Sequence, residues 1–151
     1  MKKLLLSLLL VLGITVSGHA ATFYLNYVAG NNNMGGDSWT ALPSVTDGVT
    51  DGTTTVTSAT GGFTGTAGRY VWIGSDATTQ LYWGTIASIT NDTTFVIGST
   101  IATGTGRYIR VGGAWRDITN GALAARIAPA DVIRIAKSPA PTSVGNATWT
   151  N

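Results

Sequence analysis

Two groups of side chains in this sequence have the types and spacing to do chemistry: four aromatics and three carboxylates. Tyr70 and Trp72 stand two apart in "GRYVWIG", and Tyr82 and Trp83 adjoin in "QLYWGTIASI". Flat aromatic rings stack on the apolar faces of sugars, so Tyr70, Trp72, Tyr82 and Trp83 form a candidate carbohydrate-binding surface. In an extended strand Tyr70 and Trp72 share one face, opposite Val71 and Ile73. Both faces are then apolar enough to be buried, and core packing is the favoured reading because large aromatics dominate small β cores. Asp47 and Asp51 repeat as "TDGVTDG", close enough in sequence to hold Ca²⁺ or to act as an acid/base pair. Asp-Gly also marks turns, and that is the commoner reason for the dipeptide. Asp37 lies in "GNNNMGGDS", residues 30–38, whose Asn, Asp and carbonyl oxygens offer a second Ca²⁺ loop; the plain alternative is a Gly-rich surface loop. Arg69, Arg107, Arg110 and Arg116 are candidates for an acidic polysaccharide, but without a like-charge run they read as a solvated face.

Much chemistry is excluded once the first twenty residues are set aside. Lys2 and Lys3, the apolar run 4–16 and the small-residue ending Gly18-His19-Ala20 have the pattern of a secretory signal peptide, with cleavage expected after Ala20. The apolar run falls short of the roughly 20 residues that a spanning helix needs. Cleavage removes the sole His and two of the nine basic residues, leaving seven Lys and Arg against seven Asp. The basic balance of the whole chain therefore belongs to the export signal, and neither nucleic acid nor an anionic membrane is implied as a partner. Residues 21–151 contain no Cys, His or Glu, which excludes disulfides, a Ser-His-Asp triad and the usual zinc sites.

The elements that must position these side chains read mostly as strands. "TFYLNYV" (22–28) is rich in β-branched and aromatic residues. From 49 to 111, short runs at 53–59, 68–74, 80–89, 93–99 and 106–112 alternate with turn residues, the pattern of a small antiparallel β unit. Near the C-terminus Ile118, Leu123 and Ile127 fit one face of a short helix ended by Pro129, and Val132 to Ala136 alternate as a further strand.

"FYLNYVAGNNNMGGDSW" and "WRDITNGALAARIAPADVIRIA" together resemble the N-terminal region of right-handed parallel β-helix proteins of the pectate-lyase-like superfamily. The resemblance rests on Tyr24 and Val28 in the strand, Gly30, Gly36, Asp37 and Trp39 in the loop, Ile118, Leu123 and Ala125 in the helix, and Pro129, Asp131, Val132 and Ile133 at the turn into the first rung. It implies a short helix capping the open end of a stack of coils. Residues 43–113 interrupt the pattern, and Ala130 replaces the glycine of its Pro-Gly-Asp turn. Alanine disfavours the positive φ of a type II turn, which leaves a type I turn open.

The expected architecture is thus all-β: a signal peptide (1–20), a β-helix strand and loop (21–42), an inserted small antiparallel β module (43–113), and a capping helix with the first rung (114–151), with further coils expected after Asn151. The expected function is a secreted or cell-surface scaffold, adhesive or polysaccharide-binding, without a catalytic site in this segment. The competing expectations are the N-terminal part of an extracellular polysaccharide lyase or glycoside hydrolase with its active site beyond residue 151, and a phage virion or tail-associated protein, against which the signal peptide argues. No cofactor is expected apart from the Ca²⁺ considered at Asp37, Asp47 and Asp51.

Overall fold

Apolar and polar residues alternate in short runs between Ala41 and Gly112, and these runs are six strands closed into a barrel. The computed structural model describes residues 20–26, 30–116, 126–128, 130–136 and 147–150. β2 (Ala41–Thr50), β3 (Thr55–Thr57), β4 (Tyr70–Gly74), β5 (Gln80–Asn91), β6 (Thr94–Ile97) and β7 (Gly104–Gly112) neighbour one another in the order β2-β3-β6-β5-β4-β7, and β7 pairs back onto β2. All the barrel pairings are antiparallel. Closure gives every strand of the barrel a neighbour on each side. The period-two geometry of a strand then decides the faces: Val71 and Ile73 of β4, Phe95 and Ile97 of β6, and Ile109 and Val111 of β7 all enter one core. Phe63, from the loop between β3 and β4, joins them fully buried, its ring centroid 4.6 Å from that of Phe95.

β2 is the strand that its own turn-like residues conceal. Asp47-Gly48, expected to mark a turn, lies inside a ten-residue strand whose register with β7 shifts on both sides of Gly48. A bulge accommodates an extra residue and bends the strand. Gly48 suits the place, since a Cβ there would stand 2.5 Å from Ile109 Cδ1.

A second, smaller sheet lies against the outside of the barrel. β1 (Thr22–Leu25) pairs parallel with β8 (Val132–Ile135), and β8 pairs antiparallel with β9 (Ala147–Thr150). Phe23 and Leu25, two apart on β1, share a face and are fully buried with Trp115, which follows β7.

This topology corrects the right-handed parallel β-helix expected from the two flanks. A parallel coil needs a crossover after each strand, whereas the strands from Ala41 to Gly112 all pair antiparallel until the sheet closes. The flanks do meet, but β1 and β8 make one parallel pair that β9 continues in the antiparallel sense. All regular structure among the described residues is β. The capping helix expected around Ile118 and Leu123 falls on residues 117–125, outside the described residues.

Ala130 does not adopt the negative φ of a type I turn. Its φ is +77°, the left-handed value that alanine disfavours. Asp131 holds the turn in place: its N–H donates to the Ala128 carbonyl at 3.1 Å, and its Oδ2 accepts the Ala128 N–H at 2.6 Å. Local strain of this kind persists where surrounding bonds over-determine it.

Candidate functional site

Because Val71 and Ile73 point into the barrel, Tyr70 and Trp72 point out of it, and Trp83 of β5, opposite Trp72 in register, joins them. That outer face is covered by the small sheet and by the loop 30–39. Trp72 is completely buried, with the Arg110 guanidinium 5.1 Å from its ring centroid. Arg110 in turn donates to the carbonyls of Asn33 at 3.1 Å and Ala77 at 3.2 Å, and burial lowers its pKa. The Trp72 indole N–H has no hydrogen-bond partner among the described residues, so this side chain acts as an apolar plate.

Tyr70 and Trp83 are half-buried and stack 4.6 Å apart at 25°. Phe23 packs 5.3 Å from Tyr70 and stacks on Trp115 at 4.8 Å, so residues from both units share one aromatic cluster. Main-chain carbonyls of the 30–39 loop complete it: Trp83 Nε1 donates to Gly35 at 2.9 Å and Trp115 Nε1 to Met34 at 3.2 Å. Arg126 lies 4.5 Å over the Trp83 ring and bonds Gln80, and burial brings its pKa down to about 10. Tyr82 is apart from the other three. It packs against the barrel core, donates its hydroxyl proton to the Thr85 carbonyl at 3.2 Å and accepts the Gly98 N–H at 3.3 Å. The structure therefore brings Tyr70, Trp72 and Trp83 onto one outer face beneath a cover, and leaves Tyr82 elsewhere.

The carboxylates are engaged one by one with nearby backbone. Asp37 pairs with Arg69 at 2.8 Å and accepts the Tyr70 N–H at 3.0 Å, and its hydrogen bond raises the Arg69 pKa. Asp47 accepts from the Ser58 hydroxyl and from the Thr60 N–H at 2.8 Å. Asp51 turns to Thr53 instead, taking its N–H at 3.0 Å and its hydroxyl at 2.6 Å. Asp76 and Asp92 do the same for Thr78 and Thr79, and for Gly62 and Thr64. Hydrogen bonds to a carboxylate favour its charged form, and the pKa values of Asp47, Asp51, Asp76 and Asp92 are all lowered. The largest cause is the Ser58 hydroxyl for Asp47, the Thr53 side chain for Asp51, the Thr78 N–H for Asp76 and the Thr64 side chain for Asp92. Among the described residues no three or more His, Cys, Asp or Glu side chains gather in a metal-ligating group. Asp37, Asp47 and Asp51, the residues considered for Ca²⁺, instead serve three separate loops.

One aromatic pair lies outside both cores. Tyr24 alternates with the buried Phe23 and Leu25 and so emerges on the opposite face of β1, where Trp39 meets it edge-on with ring centroids 4.7 Å apart. Both are partly exposed, and Arg134, paired with Tyr24 across β1 and β8, sits 5.8 Å over the Tyr24 ring. The alternation of "TFYL" was legible as a signal for Tyr24, but only the fold carries Trp39 to its side.

No family model, no curated protein and no solved structure matches this chain. Among the described residues no helix is long and apolar enough to cross a membrane.

Proposed function

We propose that this protein is an exported, non-catalytic extracellular scaffold that binds polysaccharide through the Tyr24–Trp39 surface of its small sheet. The observation that carries the proposal is that partly exposed aromatic pair, flanked by Arg134, on a face that neither core uses. An aromatic ring offers a sugar its apolar face while a neighbouring guanidinium supplies hydrogen-bond donors. Support for a scaffold over a lyase or hydrolase comes from the carboxylates: Asp37, Asp47, Asp51, Asp76, Asp92 and Asp131 each hold a backbone segment in place. The export signal read in residues 1–20 supports the location.

Affinity electrophoresis of the exported chain through neutral and acidic polysaccharides tests the proposal. Trp39→Ala is expected to weaken binding about tenfold or more, a change of about 1.4 kcal/mol, with the circular dichroism spectrum unchanged. Binding that is indifferent to Trp39→Ala sinks the proposed surface. Trp72→Ala, by contrast, is expected to damage the fold itself, since it empties a fully buried site.

A further inference from the structure

We infer that cleavage between Ala20 and Ala21 creates an α-ammonium group that pairs with Asp131 and clamps β1 to β8, so that export processing completes the small sheet. The inference rests on the export reading proposed above. Ala21 N lies 2.8 Å from Asp131 Oδ1, and the Ala21 carbonyl accepts the Val132 N–H at 2.8 Å, so the two chain segments grip each other at the start of the parallel pair. Asp131 is only 5 % exposed, and its second oxygen is taken by the Ala128 N–H at 2.6 Å. Among the described residues it has no cationic side chain in ion-pair contact, whereas Asp37 has Arg69. A buried carboxylate without a counter-charge is costly, because the lost hydration is replaced by hydrogen bonds alone.

The cleavage supplies that counter-charge. A protease of the export machinery adds water across the Ala20–Ala21 amide: the C–N bond breaks, Ala20 leaves as a carboxylate, and the released amine takes up a proton. An α-amino group of pKa about 7.7–8.0 is largely protonated at neutral pH. One amide N–H facing Asp131 then becomes an ammonium with three donors and a full charge, at the same position in the fold. Ala20 is exposed, while Ala21 packs against the aromatic cluster, so the boundary between solvent and packed structure falls at the bond that is cut.

N-terminal sequencing of the exported protein, followed by urea unfolding, tests the inference. The exported protein is expected to begin at Ala21. A chain beginning at Ala20, which restores the amide and moves the charge one residue outward, is expected to lose about five- to thirtyfold in its folded-to-unfolded ratio. With Asp131→Asn the two starts are expected to become equal. Should Asp131→Asn not fold, acetylation of the Ala21 amine, which keeps one N–H but removes the charge, is expected to reproduce the loss of the Ala20 start. Equal stability of the free and acetylated proteins overturns the ion pair while leaving export intact. Retention of the chain in the cell overturns the export reading and the maturation step with it, whereas export with processing at another bond overturns the maturation step alone.

Discussion

The barrel core and the aromatic joint beneath the small sheet are built in opposite ways. In the barrel, mostly aliphatic side chains from Val45 to Val111, with Phe63 and Phe95 among them, meet because antiparallel strands close on one another, so every contact is made within one stretch of the chain. At the joint, Phe23 meets Trp115, and Ala21 meets Asp131, across the whole length of that stretch. The joint uses large rings, and its main-chain contacts come from the 30–39 loop, with Gly35 and Gly36 donating to the Gly112 and Gly113 carbonyls at 2.7 and 2.9 Å. The barrel sheet closes without β1, β8 or β9, whereas the joint packs on Tyr70 and Trp83 of the barrel's outer face.

The largest test of that asymmetry is a pair of truncations. Phe95→Ala removes a fully buried ring from the barrel and is expected to cost about 3–5 kcal/mol, loosening both regions together. Trp115→Ala removes a comparable ring from the joint and is expected to cost about the same, but amide exchange should rise in β1 and β8 while β5 and β7 stay protected. Equal loss of protection in both regions after Trp115→Ala would show that they fold as one unit.

A smaller effect is expected at Gly36. Its φ is +97°, and a Cβ there would stand 2.4 Å from the Trp115 ring. Gly36→Ala is expected to destabilise by about 1–3 kcal/mol from the backbone conformation, with any displacement of Trp115 adding to it. Near-ultraviolet circular dichroism of the tryptophans should report the shift, and an unchanged spectrum with unchanged stability would argue that the joint is loosely packed.

The smallest expected effects separate the regions by pH. Asp47, Asp51, Asp76 and Asp92 brace loops and turns of the barrel, and all have folded pKa values below the ordinary 3.8. Their contribution is full above that value and is lost as the pH falls through the lowered folded values. Asp76→Asn should therefore flatten the decline in thermal midpoint below about pH 4. The joint responds at the other end. Burial, followed by the charges of Asp131 and Asp37, raises the Tyr70 pKa above 10.0, so its contribution is present below that value and lost as the pH rises through the raised one. Tyr70→Phe is expected to remove that alkaline loss, and a thermal midpoint whose alkaline decline is unchanged in the variant would exclude Tyr70 as its source.

Much of the barrel was legible along the chain. β4, β5, β6 and β7 fall within or close to the runs read from alternation at 68–74, 80–89, 93–99 and 106–112. β2 was not, because Pro43, Asp47 and Gly48 are residues of turns and of bulged strands alike, and only pairing with β7 distinguishes the two. The β-helix expectation failed for a related reason. The flanking motifs describe a strand, a loop and a turn, each a local object, and local objects do not say how many parallel neighbours a strand will have. Of the site residues, the shared face of Tyr70 and Trp72 was evident from their spacing. The separation of Asp47 from Asp51 was not, since each is drawn to a different loop by Ser58 and Thr60 or by Thr53.

By itself the sequence determined an export signal pattern, a chain without thiol or imidazole chemistry after it, and a set of strands in which alternate side chains share a face. Those properties follow from composition and from the period of two, which act over a few residues. The tertiary structure alone decided that the sheet closes, that Tyr70 and Trp83 pack against a second sheet while Trp72 is buried beside Arg110, and that Tyr24 and Trp39 meet outside both cores. The physical reason is that alternation states which side chains share a face, while what covers that face depends on segments distant in the chain.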